Sequence, residues 1–191
     1  NAGNYTVLAT IPATGCTSNM AGTAVVGISP LPVLQTVTGG GNYCDGGVGV
    51  NVGLAGSVTG TSYQLMNSGS PVGAPIPGTG SSLDFGLETA TGVYTVIATT
   101  TASSCTNMMT GSVSVNIDPL PAVYNVIGDG NFCTGGSGVS ICLTSSDPGV
   151  MYQLKRGGSP VGAPVAGTGS ALDFGLQSVV GSYTVVATNA V

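Results

Sequence analysis

Three features of this 191-residue sequence predict an all-β chain built as tandem sandwiches. Short apolar–polar alternations recur between clusters of Gly, Pro, Ser and Asn, the pattern of strands with one buried face. No stretch sustains a 3.6-residue apolar period over about ten residues, so helices are not expected. Whole tracts return at a spacing of 89 residues, so the chain repeats one structural unit.

Taken in order, "LPVLQTV" (31–37) reads as the opening strand of a unit. "GVGVNVGL" (47–54) and "SYQLMN" (62–67) follow as alternating strands. "PVGAPI" (71–76) reads as a short edge strand, because Pro71 and Pro75 have no N–H to give to a ladder. "SLDFGL" (82–87) turns Leu83 and Phe85 inward and Asp84 outward. "VYTVIATT" (93–100) and "GSVSVNI" (111–117) close the unit. About seven strands in such a length is the signature of an immunoglobulin-like sandwich.

The repeat fixes the domain boundaries. Tyr5, Tyr94 and Tyr183 stand 89 residues apart, as do Cys16 and Cys105, Cys44 and Cys133, and the two Pro-Leu-Pro triplets at 30–32 and 119–121. "GSPVGAPIPGTGSSLDFG" (69–86) returns as "GSPVGAPVAGTGSALDFG" (158–175). One complete unit is expected over 31–118. Residues 1–30 read as the last strands of a preceding unit, and 119–191 as a unit lacking its final hairpin. Two arrangements fit: a window onto a longer tandem chain, or donation of residues 1–30 to the open unit of a neighbouring molecule. "AGNYTVLAT" at the start duplicates "VGSYTVVAT" near the end, which favours the window, because a donor would bring a redundant strand. The chain also begins at Asn1 without an initiator Met, which reads as a processed or partial chain.

Composition narrows the function classes. Only 5% of residues are charged, the two bases are Lys155 and Arg156, and there is no His. A phosphate-neutralising basic patch cannot be assembled, so no nucleic-acid partner is expected. A formal charge of −5 gives no attraction to anionic membranes, and no apolar run is long enough for a spanning helix. Yet 42% of residues are hydrophobic, too many for a solvated coil. No catalytic, cofactor-binding or metal-binding constellation is evident, and a non-enzymatic role is expected. A surface poor in Lys and Arg also offers proteases few sites.

The series "PLP…GNYCDGGVGVNVGL…SYQL…GSPVGAPIPGTGSSLDFGL…GVYTVIATT…CTNMMTGSVSVNI" resembles the tandem immunoglobulin-like repeats of secreted Bacteroidota surface and adhesin-type proteins. The resemblance covers essentially the whole chain. It implies secretion, a cell-surface or extracellular location, and a structural or adhesive role. It brings no catalytic residues to positions in this sequence.

The cysteines are the most informative single residues. Without His or a paired Cys-x-x-Cys, Cys16, Cys44, Cys105 and Cys133 have no zinc partners, and disulfides in an oxidising compartment are expected. Cys44 precedes the second strand and Cys105 follows the sixth, which places them at opposite poles, beyond disulfide reach. The expected bonds therefore join adjacent units or molecules. The alternative is the pairs Cys16–Cys44 and Cys105–Cys133, if the chain folds back at Pro-Leu-Pro. Cys142, inside a strand, reads as a buried free thiol.

The acids are too dispersed for calcium or for a glycosidase pair; Asp45, Asp118 and Asp129 are read as solvated turn acids. Tyr94 and its equivalents, with Tyr63 and Tyr152, are expected to pack at corners. Met20 and Met109 are expected to cover an apolar junction, and Lys155-Arg156 to lie in a solvated turn. Covalent glycans are expected on the sequon at Asn4 or on the hydroxyls of the 99–106 loop: Thr99, Thr100, Thr101, Ser103 and Ser104. The leading expectation is thus a segment of an extracellular filament or surface stalk whose partners are copies of itself, head to tail. The alternative is an adhesive module presenting loops, since 55–68 and 144–157 diverge most between the repeats.

Overall fold

The computed structural model describes residues 1–189, and among them every regular element is a strand. The chain divides into two compact units, one spanning residues 1–117 and one beginning at Asp118.

The first unit opens with four short strands, β1 (Gly3–Tyr5), β2 (Leu8–Thr10), β3 (Thr17–Asn19) and β4 (Ala24–Val26). They pair antiparallel as β1–β4 and β2–β3, a long hairpin that turns at Ile11–Cys16. Every residue from 1 to 30 is exposed, so this ribbon has no core of its own.

The rest of the unit is a sandwich. Its strands are β5 (Val37–Gly39), β6 (Gly41–Cys44), β7 (Val50–Leu54), β8 (Thr61–Asn67), β9 (Ser70–Pro77), β10 (Leu83–Glu88), β11 (Gly92–Thr100), β12 (Thr106–Met108) and β13 (Val113–Asp118). One sheet runs β10–β7–β5; the other runs β6–β13–β11–β8–β9, with β12 also on β11. Alternate residues of β8 and β11 are buried, as the two-residue period of a half-buried strand requires. Val52, Leu54, Tyr63, Tyr94, Val96 and Val115 form the centre of the core. The proline-bearing β9 lies at a sheet edge, where its missing donors cost nothing.

The second unit repeats the plan with fewer strands: β14 (Val126–Ile127), β15 (Val139–Leu143), β16 (Val150–Arg156), β17 (Ser159–Pro160), β18 (Val165–Ala166), β19 (Leu172–Gln177) and β20 (Tyr183–Asn189). The sheets are β14–β15–β19 and β17–β16–β18, with β20 on the other side of β16. Registers agree across the repeat: Gly53 faces Asp84 as Cys142 faces Asp173, and Met66 faces Thr95 as Lys155 faces Thr184. Leu143, Val150, Tyr152 and Leu172 form the core.

The duplicated eighteen-residue phrase is scaffold, and its small polar residues do specific work. The buried Ser57 hydroxyl donates to the Ser81 carbonyl at 2.6 Å and accepts from the Thr79 amide at 3.0 Å. Ser146 does the same with Ser170 and Thr168. Gly78 and Gly167 pass so close to the carbonyls of Val58 and Asp147 that a Cβ has no room. Asp84 accepts from the Gly86 amide at 2.7 Å and from the Asn51 side chain at 2.6 Å, which holds the bulge where β10 slips against β7. Gly86 takes φ +97° there, a conformation that glycine supplies without steric cost.

Two local expectations differ from the structure. The segment 31–37 is a strand only from Val37 on. Before that it follows the β12–β13 connection: the Thr110 amide donates to the Gln35 carbonyl, and the Val37 amide to the Thr110 carbonyl. Lys155 and Arg156 are not in a turn; they end β16 opposite Thr184 and Tyr183, and the turn follows at Gly157–Gly158.

Candidate assembly surface

The 89-residue repeat lets each position of the second unit be judged against its filled counterpart in the first. In the first unit, β12 and β13 close the sandwich. Val113 and Val115 of β13 face Tyr94 and Gly92 of β11, and β6 lies on the far side of β13. Between β12 and β13, Met109 is 3% exposed and packs in the core. Its amide donates to the Val96 carbonyl at 2.8 Å, and its sulfur accepts from the Gln35 amide at 3.3 Å.

In the second unit, no described strand takes these places, and β20 pairs with β16 alone among the described strands. Burial changes accordingly. Val37 is 5% exposed and its counterpart Val126 is 38% exposed; Tyr94, Val96 and Ala98 are buried, and Tyr183, Val185 and Ala187 are only half-buried. The counterpart of β6 is not a strand at all, because a strand without its neighbour loses its ladder. Two grooves result. One, of about 480 Å³, is lined by Val126, Gly128, Phe132, Ile141, Val179 and Tyr183. The other, of about 270 Å³, is lined by Leu120, Tyr124, Leu143, Tyr152, Val185 and Ala187.

The first groove occupies the position that β13 covers in the first unit, and the second occupies the position of Met109. At the start of the chain, the counterparts of those covering residues stand bare. Met20 corresponds to Met109 and is 45% exposed; Val26 corresponds to Val115 and is 49% exposed. The pairing of Gly3, Asn4 and Tyr5 with Val26, Val25 and Ala24 repeats the register of Gly92, Val93 and Tyr94 with Val115, Ser114 and Val113. Residues 3–5 and 24–26 therefore repeat the register of β11 with β13, and every residue from 1 to 30 is exposed.

The tyrosines mark a shared corner. Tyr5, Tyr94 and Tyr183 each donate to the carbonyl four residues earlier, on Asn1, Ala90 and Val179. Burial pushes the Tyr94 hydroxyl up from its ordinary value, with the Glu88 carboxylate adding to the shift. The hydroxyls of Tyr63 and Tyr152 accept the amides of Val58 and Asp147 from inside the core.

All five cysteines carry free thiols. Tyr43 beside Cys44 donates to the Thr89 carbonyl, in the connection that leads into β11, whereas the Cys105 carbonyl accepts from the Thr100 amide, at the end of β11. Nine residues at roughly 3.3 Å each separate those ends, so Cys44 and Cys105 cannot join within one unit. Neither of the pairs Cys16–Cys44 and Cys105–Cys133 is formed. Cys16, Cys44 and Cys133 are exposed; Cys142 is half-buried, with its sulfur 3.6 Å from the Asp173 carboxylate.

Of the expected glycan sites, Asn4 is exposed in β1. Thr99 and Thr100 end β11, half-buried, and Ser104 is exposed at the hairpin tip with φ +56°. The Thr101 hydroxyl is committed to the Gly60 carbonyl at 2.8 Å. The Ser103 hydroxyl oxygen is buried. Among the described residues, no three His, Cys, Asp or Glu side chains group as metal ligands, and no helix is long and apolar enough to cross a membrane.

No protein-family model matches the chain. No curated protein matches it in sequence.

Proposed function

We propose that the chain is a structural segment of an extracellular filament or surface stalk, built from head-to-tail immunoglobulin-like units. The observation that carries this reading is the repeat itself: two sandwiches of one plan follow each other at a spacing of 89 residues, with matching strand registers and matching cores. Units joined head to tail, each meeting the next through a different patch, extend as a fibre where the rotation between them does not close a ring.

Chemistry on this surface is confined to durability. Cysteines at the unit poles join neighbouring units, each bond forming as two thiols lose two protons and two electrons to the thiol–disulfide oxidants of an oxidising compartment. Exposed hydroxyls such as Ser104, and the Asn4 amide, carry glycans that keep a nearly uncharged surface soluble. No residue is assigned to catalysis.

Electrophoresis of the native material, boiled in detergent with and without reductant, tests the reading. Species far above 18.4 kDa are expected. A single small band under both conditions, together with no filaments by electron microscopy, refutes it.

A further inference from the structure

Resting on the filament reading, we infer that the outward edge of β9 is sealed against strand addition, so that a second copy of this chain cannot join the sandwich side by side. In the first unit β9 and β10 are the long edge strands, each paired on one side only, and β5 and β6 end the same sheets with three and four residues. An unguarded edge is a row of free N–H and C=O groups that pairs with another such row. A common guard is charge, lysine above all. This chain has two basic residues, Lys155 and Arg156, and both lie in the second unit. The first unit therefore has to be guarded by its backbone.

The prolines stand where that guard is needed. In an antiparallel pair, alternate residues point their N–H groups at the partner strand and the others point away. The Gly78 amide donates to the Thr61 carbonyl at 2.8 Å. With Ile76 opposite Tyr63 and Pro77 opposite Ser62, this register turns the nitrogens of Pro77 and Pro75 outward. For the other end of the strand, the second unit shows the equivalent bond: the Val161 amide, the counterpart of Val72, donates to the Leu154 carbonyl at 2.8 Å. Pro160, and Pro71 with it, then also faces outward. Positions 71, 75 and 77 on the free edge thus have no hydrogen to give.

The bulge between them is closed by a side chain. The ladder shifts between Tyr63 and Leu65, and the Gln64 amide group donates to the Val72 carbonyl at 2.9 Å and to the Gly73 carbonyl at 3.3 Å. Gln153 makes the same two bonds to Val161 and Gly162. The β10 edge is bulged as well, where Asp84 takes the Gly86 amide, and Asp173 repeats this with Gly175. A broken and twisted ladder offers no continuous row to an incoming strand. Pro160 and Pro164 repeat Pro71 and Pro75, and Ala166 stands for Pro77 on a strand of only two residues. For stalks crowded on one surface, head-to-tail joining stays open and fusion of neighbouring sheets is blocked.

Light scattering of the full chain in reductant, at rising concentration, tests the seal. Combining Pro71→Thr, Pro75→Thr and Pro77→Thr restores the outward N–H groups at exposed positions away from the core. This variant is expected to associate at a concentration about tenfold or more below the parent, with intermolecular β-sheet absorbance in the infrared. Ser70→Thr with Ala74→Thr adds the same side chain without a new donor and is expected to behave as the parent. Ala166→Pro checks the geometry in the second unit. The Gly167 amide donates to the Val150 carbonyl, which turns the Ala166 nitrogen outward and the Val165 nitrogen inward. Ala166→Pro is therefore expected to keep the parent's urea midpoint, and Val165→Pro to lower it.

A triple variant that associates no more readily than the parent overturns the seal and leaves the filament reading standing. Equal association of the Ser70→Thr, Ala74→Thr chain overturns it too, as does an Ala166→Pro midpoint that falls as far as that of Val165→Pro. If the triple variant lacks a cooperative unfolding transition, the three single proline variants take its place in the same comparison. A triple variant that associates, while native material shows no filaments, keeps the seal and refutes the filament reading.

Discussion

At the scale of single residues, position in the repeat decides what a side chain is worth. Met109 and Met20 are the same residue in the same motif, yet one is core and the other is surface. Met109→Ala is expected to destabilise the first unit by about 2–5 kcal/mol, whereas Met20→Ala is expected to leave the unfolding of the dispersed chain unchanged. Urea titrations of the two variants check this. The corner tyrosines divide likewise: Tyr94→Phe removes a hydrogen bond from a packed corner, at about 1 kcal/mol, and Tyr5→Phe removes one from an exposed ribbon with no measurable effect. Acid sensitivity is also a residue property here. The Gly86 amide, and then the Asn51 side chain, hold the Asp84 carboxyl below its ordinary value; the Ser140 hydroxyl and the Gly175 amide do so for Asp173. A carboxyl depressed in the folded state contributes stability above its unfolded value, about 3.9, and loses it as pH falls through the folded value. The doubly substituted Asp84→Asn, Asp173→Asn chain is therefore expected to lose less stability than the parent between pH 5 and 2, read as the urea midpoint at each pH. The sequence pointed both acids outward, and they are exposed. It did not disclose their grip on the bulge, although the Asp-x-Gly spacing shared by both copies is the signal that carried it.

At the scale of elements, alternation was legible and pairing was not. β8 and β11 follow the apolar–polar period closely, because each has one face on the core and its own composition records that face; β10 breaks the period at its bulge, which leaves Leu87 exposed, and β9 packs only Val72 and Ile76 on the core. β6 and β12 are not legible in the sequence. They are Gly-Asn-Tyr-Cys and Thr-Asn-Met, too short to show a period, and only their neighbours make them strands. The second unit demonstrates this: with no described strand in the place of β13, the stretch matching β6 is irregular. The connection 77–82 is a test of the scaffold role of the repeated phrase. Gly78→Ala sets a methyl against the Val58 carbonyl and is expected to destabilise by about 1–3 kcal/mol. Gly73→Ala meets open space and carries only the cost of its positive φ, about 1 kcal/mol. Thermal unfolding of the two variants separates backbone crowding from conformational strain.

At the scale of the whole molecule, one plan is built twice: the sandwich of β5–β13 and that of β14–β20 share registers and core positions across the 89-residue spacing. That repeat could be counted in the sequence. The grooves could not, because they are formed by residues far apart in the chain, such as Val126, Ile141 and Tyr183, that meet only when folded. Hydrogen exchange compares the open and closed copies directly. Among the described strands β20 pairs with β16 alone, and in the dilute 191-residue chain it is expected to exchange faster than β11, which is paired on both sides. In native filaments 183–188 is expected to be as protected as β11, because a head-to-tail array of whole sandwiches leaves no unit open. If 183–188 exchanges as fast in the native material as in the dilute chain, the units are not joined into a continuous array of sandwiches.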